Sequence, residues 1–136
     1  MLYTIFLIGY GNQIPEQFLE RLELASDECL VLDIRVRRKS WAQAYSVPNV
    51  EPLFKKRGHD YIWVYALGNT GNNHKVQLAD EIGGMWQLER LLRSSRLPIV
   101  LMCCERLSSG CHRQVVAEKL SARLVGSGDS LEIRKL

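Results

Sequence analysis

The chain has 136 residues, of which 46% are apolar and 24% charged, and its net charge is +3. This length is enough for one domain with a buried core and too short for two, and the composition is typical of a globular protein. No apolar run approaches the roughly 20 residues of a membrane span, and no basic segment precedes the apolar run at residues 2–8. We therefore expect neither a membrane helix nor a signal peptide.

The first half of the chain is predicted to alternate between strands and helices. Pro15 suits the first turn of a helix, and apolar residues at helical spacing follow it. Gly58 is expected to end a later, short helix. In chain order we predict a buried strand at residues 2–8, a turn at 9–12, a helix at 15–25 and a second strand at 29–34. A long loop at residues 35–48, a short helix at 50–57 and a third strand at 61–65 follow.

The second half continues the alternation after a polar loop at residues 68–73. Helical spacing runs over residues 76–94, and Gly83 and Gly84 are expected to break it into two helices. We then predict a strand at residues 98–103, a helix at 111–124 and a short edge strand at 131–133. The pattern predicts an α/β fold: a single layered domain over residues 1–136, with a mainly parallel sheet of about four or five strands flanked by helices.

Cysteine usage indicates the compartment. Of the four cysteines, Cys103 and Cys104 are adjacent, which makes a poor disulfide framework. A chain without a secretion signal is typical of a reducing compartment. We therefore expect a cytoplasmic protein whose thiols are free, metal-bound or catalytic.

The turn after the fourth strand carries a thiol and a carboxylate. Cys103 and Glu105 are two positions apart, so they share a face if the strand continues that far, whereas Cys104 is expected to face the apolar interior. Buried cysteines are often ordinary apolar residues, so a purely structural Cys103 is the alternative.

The helix that follows is predicted to begin with Cys111, His112 and Arg113. A thiol at a helix N-terminus feels the positive end of the helix dipole, which favours the thiolate. The backbone N–H groups there hold anions, and Arg113 can add a bidentate clamp. The spacing of cysteine and histidine lacks a CxxC knuckle, so no metal ligands are assigned.

A second constellation follows the second strand. Asp33 ends an apolar run, where it is a candidate general base, ribose ligand or orienter of Arg35; the alternative is a bond that merely closes the loop. We expect Asp33 to be buried and paired, since an unpaired buried carboxylate is costly. The turn containing Gly9 and Asn12 follows the first strand, and all four strand ends are predicted to converge at one edge of the sheet.

A basic region lies between Arg35 and Arg57. It contains seven basic residues against one acid, Glu51, and it includes Trp41. Such a region is compatible with phosphate or nucleic acid, and equally with a solvated loop and helix end.

Three segments of the chain resemble the DUF488 family of small α/β proteins without an established activity. They are IGYGN at residues 8–12, LDIR at residues 32–35, and LMCCE with CHR at residues 101–105 and 111–113. Ser108 stands where the family often has proline, and Asn69 where a second glycine is common. The resemblance implies a site formed by Asn12, Asp33, Arg35, Cys103, Glu105, Cys111, His112 and Arg113.

Two functions are argued from these residues, and a scaffold or regulatory subunit is a third possibility for which the sequence carries no motif. The first is an enzyme-like domain that binds a phosphate-bearing ligand, such as a nucleotide or a nucleic-acid end. In it Arg35 and Arg113 hold the anion, Cys103 or Cys111 is the thiolate, and Glu105 or His112 moves protons. The second is a non-catalytic nucleic-acid-binding module that uses the basic region 35–57, with Trp41 as a stacking face. The sequence specifies no cofactor, substrate or oligomeric state.

Overall fold

A computed structural model of the chain describes residues 1–72, 74–104 and 112–136. Within these ranges, strands and helices alternate as the sequence predicts. The strands are β1 (Leu2–Gly9), β2 (Leu30–Asp33), β3 (Asp60–Trp63), β4 (Ile99–Cys103) and β5 (Ser130–Lys135). The helices are α1 (Pro15–Leu22), α2 (Val47–Lys56), α3 (Glu81–Ser94) and α4 (His112–Gly126).

The strands form a single parallel sheet in the order β3-β2-β4-β1-β5. Every residue of β2 and of β4 is buried, because these strands lie inside the sheet and are covered on both faces. The last strand, β5, lies at an edge of the sheet, as predicted. The predicted α/β fold with a mainly parallel sheet flanked by helices is confirmed.

The helices form two layers. Apolar residues of α1 and α2, including Phe18 and Phe54, pack on one face of the sheet against Val31 and Val100. Apolar residues of α3 and α4, including Leu88 and Leu120, pack on the other face. Within the described residues, no helix is both long enough and apolar enough to cross a membrane.

The two layers create a crevice at the carboxyl edge of the sheet. Strands β2 and β4 are neighbours, but the chain leaves β2 toward α2 on one face and leaves β4 toward α4 on the other. Diverging connections of this kind open the crevice in which open α/β sheets bind ligands.

The predicted break at Gly83 and Gly84 is wrong, since α3 runs without interruption through both residues. Its N-cap is Asp80, whose side chain accepts a hydrogen bond from the Gly83 N–H (3.1 Å), and a Cβ on Gly83 would lie 2.4 Å from that carboxylate. A Cβ on Gly84 would lie 2.7 Å from Cδ2 of Leu67. The two glycines permit close packing at the helix start instead of ending a helix.

The predicted loop at residues 35–48 also contains more structure than expected. A 3-10 turn spans Gln43–Tyr45, and α2 begins at Val47, so that Pro48 lies in its first turn. Proline is well tolerated there because the first N–H groups of a helix have no partner within the helix. Gly58 follows the helix with a φ of +86°, as expected for a residue that ends it.

Candidate functional site

The predicted convergence of strand ends is confirmed. Gly9 is paired with Cys103 across β1 and β4, and Asp33 is paired with Met102 and Trp63 in the neighbouring strands. The sheet therefore brings the ends of β1, β2, β3 and β4 to one edge.

Asp33 and Arg35 form a buried ion pair at this edge. Arg35 Nε donates to Asp33 Oδ1 (2.8 Å), Arg35 Nη2 donates to Oδ2 (2.6 Å), and the backbone N–H of Arg35 also donates to Oδ1 (3.2 Å). Asp33 is fully buried and Arg35 is 7% exposed. The predicted burial and pairing of Asp33 are confirmed, and the bidentate geometry fixes the plane of the guanidinium.

Two aromatic residues of β3 support this pair. Tyr61 donates its hydroxyl hydrogen to Asp33 Oδ2, and Trp63 Nε1 donates to the backbone carbonyl of Arg35 (2.7 Å). Burial, followed by the charge and the hydrogen bond of Asp33, raises the pKa of Tyr61 well above its usual range, so its hydroxyl remains a donor. Burial alone would lower the pKa of Arg35, but hydrogen bonding and charge from Asp33 outweigh it and raise that pKa.

Tyr10 contacts Arg35 from the side of β1. Its hydroxyl accepts from Arg35 Nη1 (3.2 Å) and shares a hydrogen bond with Ser40 Oγ (2.7 Å). Its ring stacks on that of Tyr45, with centroids 4.0 Å apart and planes 6° from parallel. Burial, with a smaller effect of Tyr10, raises the pKa of Tyr45 to about 12, and its hydroxyl donates to the carbonyl of Gln13 (2.6 Å). The guanidinium of Arg35 is therefore held from two strands.

A cleft of about 930 Å³ opens at this edge. Arg37, Arg38 and Lys39 line it and are exposed, and Arg35 contributes its buried guanidinium. Among the described lining residues, four are cationic and none is acidic. The lining residues are Tyr10, Arg35, Val36, Arg37, Arg38, Lys39, Ser40, Trp41, Gln43, Asn69, Gly71, Asn72, Cys104 and His112.

The two cysteines at the end of β4 have opposite environments, and the expectation that Cys104 faces the apolar interior is wrong. Cys104 is exposed and lines the cleft, whereas Cys103 is fully buried in the core beneath α3 and α4. The strand ends at Cys103 and Cys104 lies in a bend, so the side-chain alternation of the strand does not extend to it. The carbonyl of Cys104 accepts from the Gly11 N–H (2.8 Å), which joins the turns after β4 and β1.

The first turn of α4 is directed into the site. Arg113 is 1% exposed, and its Nη1 donates to Cys103 Sγ (2.6 Å), so this contact lies below the cleft. His112 lines the cleft, and its Nε2 is 2.7 Å from the carbonyl oxygen of Ile34. Because a carbonyl oxygen only accepts, Nε2 carries the hydrogen and neutral His112 has its lone pair on Nδ1.

The remaining predicted site residues either lie outside the described ranges or do not line the cleft. Glu105 and Cys111 lie outside the described residues. Gly9 does not line the cleft, and its carbonyl accepts from Arg21 Nη1 (2.9 Å). Asn12 is exposed and does not line the cleft either. In the described ranges, no group of three or more histidine, cysteine, aspartate or glutamate residues is arranged to hold a metal ion.

The basic region splits into two groups. Residues 37–39 lie at the cleft, whereas residues 55–57 lie at the C-terminal end of α2, a ten-residue helix about 15 Å long. Lys55 pairs with Glu51 (3.6 Å), and Arg57 pairs with Glu23. The basic region suggested by the sequence is therefore divided between the cleft and the C-terminal end of α2.

Sequence reasoning missed the aromatic residues that hold the ion pair: Tyr10, Tyr61 and Trp63. Tyr10 directly follows β1 and Trp63 ends β3, where the motifs drew attention to glycine and charged residues instead, and Tyr61 lies two residues before Trp63 on the same strand. Their hydroxyl and indole groups were the available signal, because buried Tyr and Trp require hydrogen-bond partners.

Comparison with known proteins identifies a family. A family model described as "Domain of unknown function DUF488" matches residues 15–120, which is more than half of the chain. The match confirms the suspected family, and it spans the motifs at residues 32–35 and 101–113, whereas the motif at residues 8–12 lies before it. Comparisons with curated proteins and with solved structures found no match.

Proposed function

The chain belongs to the DUF488 family, whose function is unknown, and we propose that its cleft binds a phosphate-bearing ligand as part of an enzyme-like domain. The observation that carries the proposal is the charge of the cleft. Arg37, Arg38 and Lys39 are exposed along it, and no carboxylate of the described residues forms an ion pair with them. Uncompensated cations in a concave site concentrate the electrostatic field and attract anions.

Arg35 supports the same proposal in a different way. Asp33 neutralises its charge and fixes its orientation, so Arg35 offers a rigid donor surface with little net charge. Placement of a preorganised donor costs little entropy on binding. The exposed cations would attract the phosphate to the cleft, and Arg35 would fix its position there.

The chemistry we propose uses the groups that meet at the ends of β4 and α4. Arg113 places a cation on the Cys103 sulfur, a contact that favours a thiolate. His112 lines the cleft with its hydrogen on Nε2, so Nδ1 is the ring atom that accepts a proton. In this proposal Cys103 is a thiolate held beneath the surface of the cleft, where iodoacetamide does not reach it, and His112 moves protons at the cleft.

Isothermal titration calorimetry with pyrophosphate tests the binding step. We expect wild-type protein to bind pyrophosphate at low salt, and Arg37→Ala, Arg38→Ala and Lys39→Ala each to weaken binding roughly 2- to 10-fold. Lys55→Ala is the matched control, since it removes an exposed cation at the other end of α2. Equal weakening by Lys55→Ala, or no binding at all, would contradict the proposal.

The alternative is a nucleic-acid-binding module that uses residues 35–57 as one face. The separation of the two basic groups along α2 favours the cleft over this alternative. Salt dependence distinguishes the two, because log K for a single-stranded nucleic acid falls with log salt at a slope of about −0.7 per phosphate contacted. A small ligand that contacts one or two phosphates gives a shallow slope. A steep slope that is reduced equally by Lys55→Ala and Arg37→Ala would favour the module.

A further inference from the structure

Trp41 is the most exposed large apolar residue of the described chain, and it lines the cleft. The other two tryptophans are engaged. Trp63 donates to a carbonyl and has Arg38 over its ring (5.5 Å), and Trp86 has Arg90 over its ring (4.7 Å). Within the described residues, Trp41 makes no hydrogen bond, ring contact or cation–π contact. An indole left entirely in water forgoes the burial that stabilises large apolar side chains.

The position of Trp41 relative to the cations is restricted by the chain. Lys39 is two residues away, so the two Cα atoms lie within about 7 Å of each other. A ligand with its phosphate at residues 37–39 therefore has any attached group close to the indole. Base–aromatic stacking accepts any base, because every base has a π-face.

Polar side chains that line the cleft together with Trp41 suit the edge of such a ring. Gln43 lines the cleft and offers both an amide donor and an amide acceptor. Asn72 lies in the lining loop at residues 69–72, where its Oδ1 accepts from the N–H groups of His74 (2.9 Å) and Lys75 (2.8 Å). Its Nδ2 is then the atom that can donate to a ring nitrogen or carbonyl.

We propose that the ligand of the cleft is a nucleotide, whose base stacks on Trp41 while its phosphate is held by Arg37, Arg38 and Lys39. This inference rests on the proposed function and narrows the class of ligand. It requires that the heteroaromatic ring contribute affinity beyond that of the phosphate.

The test uses ligands of equal charge. Ribose 5-phosphate and the nucleoside 5′-monophosphates AMP and CMP carry the same phosphomonoester, so a difference between them measures the base. We expect calorimetry to show AMP and CMP binding roughly 5- to 100-fold more tightly than ribose 5-phosphate. Trp41→Ala should remove this preference while leaving the affinity for ribose 5-phosphate unchanged, and Trp41→Phe should retain part of it. Trp86→Ala is the control, because Trp86 is exposed on α3 away from the cleft.

Each other outcome has a distinct meaning. If ribose 5-phosphate and the nucleotides bind equally and Trp41→Ala changes neither, the nucleotide proposal fails while the phosphate cleft stands. If neither the sugar phosphate nor pyrophosphate binds, both proposals fail. If Trp41→Ala instead changes sedimentation of the free protein without changing nucleotide affinity, Trp41 serves contact between copies of this chain and the stacking proposal is overturned.

Discussion

Replacing Asp33 with asparagine should destabilise the fold strongly, because it leaves a buried cation without its counter-charge. Asp33 accepts hydrogen bonds from three N–H groups of Arg35 and from the hydroxyl of Tyr61. Asparagine keeps the shape but directs an NH₂ group at donors on one side. Breaking a buried ion pair by removing one partner costs about 3–5 kcal/mol. Since Arg35 reaches the cleft, where water or an anion can approach it, we expect the lower end, about 3 kcal/mol.

Urea unfolding monitored by circular dichroism measures this loss of stability. The expected loss is a large share of the roughly 5–15 kcal/mol that stabilises a domain. The control is Arg134→Ala, which removes an exposed partner of Glu132 and should cause no measurable change. Replacing both Asp33 with Ala and Arg35 with Met should recover part of the loss, because it removes the unpaired charge. An Asp33→Asn variant within about 0.5 kcal/mol of wild type would refute the assignment of a structural ion pair.

Three further outcomes are expected from the described structure. In urea unfolding, the Gly84→Ala variant should be less stable than the matched Gly126→Ala variant by about 1–3 kcal/mol. Both substitutions gain helix propensity, but the new Cβ meets packed atoms at residue 84 and nothing within 4 Å at residue 126. Burial, then the charge of Glu23, raises the pKa of Cys29 to about 11, so the folded state retains a thiol proton that the unfolded state loses above its own pKa of about 8.5. The free energy of unfolding should therefore fall as the pH rises from about 8.5 to 11, and Cys29→Ala should make this fall smaller. Mass spectrometry after iodoacetamide treatment should show Cys104 alkylated before Cys103, because Cys103 is buried, and the reverse order would contradict the assigned environments.

The fold was predictable because its signals are local. The continuous apolar runs at β2 and β4 indicated strands that are buried on both faces of the sheet. Their alternation with segments of helical apolar spacing predicted a parallel sheet. From a parallel sheet alone it followed that Asp33 and Cys103 share an edge. The break in α3 was mispredicted because the reason for Gly84 is a contact with Leu67, distant in sequence, and propensity reports only the intrinsic cost of glycine.

The details of the site depend on directions that the sequence does not encode locally. Cys103 and Cys104 are adjacent and chemically identical, and their exposure was decided by the residue at which β4 ends. A strand boundary is the least certain feature of a sequence pattern, so the sequence does not show at which residue the covered part of β4 ends. Likewise, residues 37–39 and 55–57 are close in sequence, but the rise of α2 separates them.

The buried and exposed cations of the edge are suited to different tasks. Arg35 is neutralised by Asp33, so its contribution to ligand binding should be short-ranged and resistant to salt. Arg37, Arg38 and Lys39 are exposed, so their attraction should extend into solvent and weaken as salt rises. The removal of an exposed cation should therefore lower the association rate and its salt dependence, whereas the loss of Asp33 should disorder the guanidinium and raise the dissociation rate. The division follows from the topology: β2 ends in the buried pair, and the exposed cations lie along the chain that leaves it.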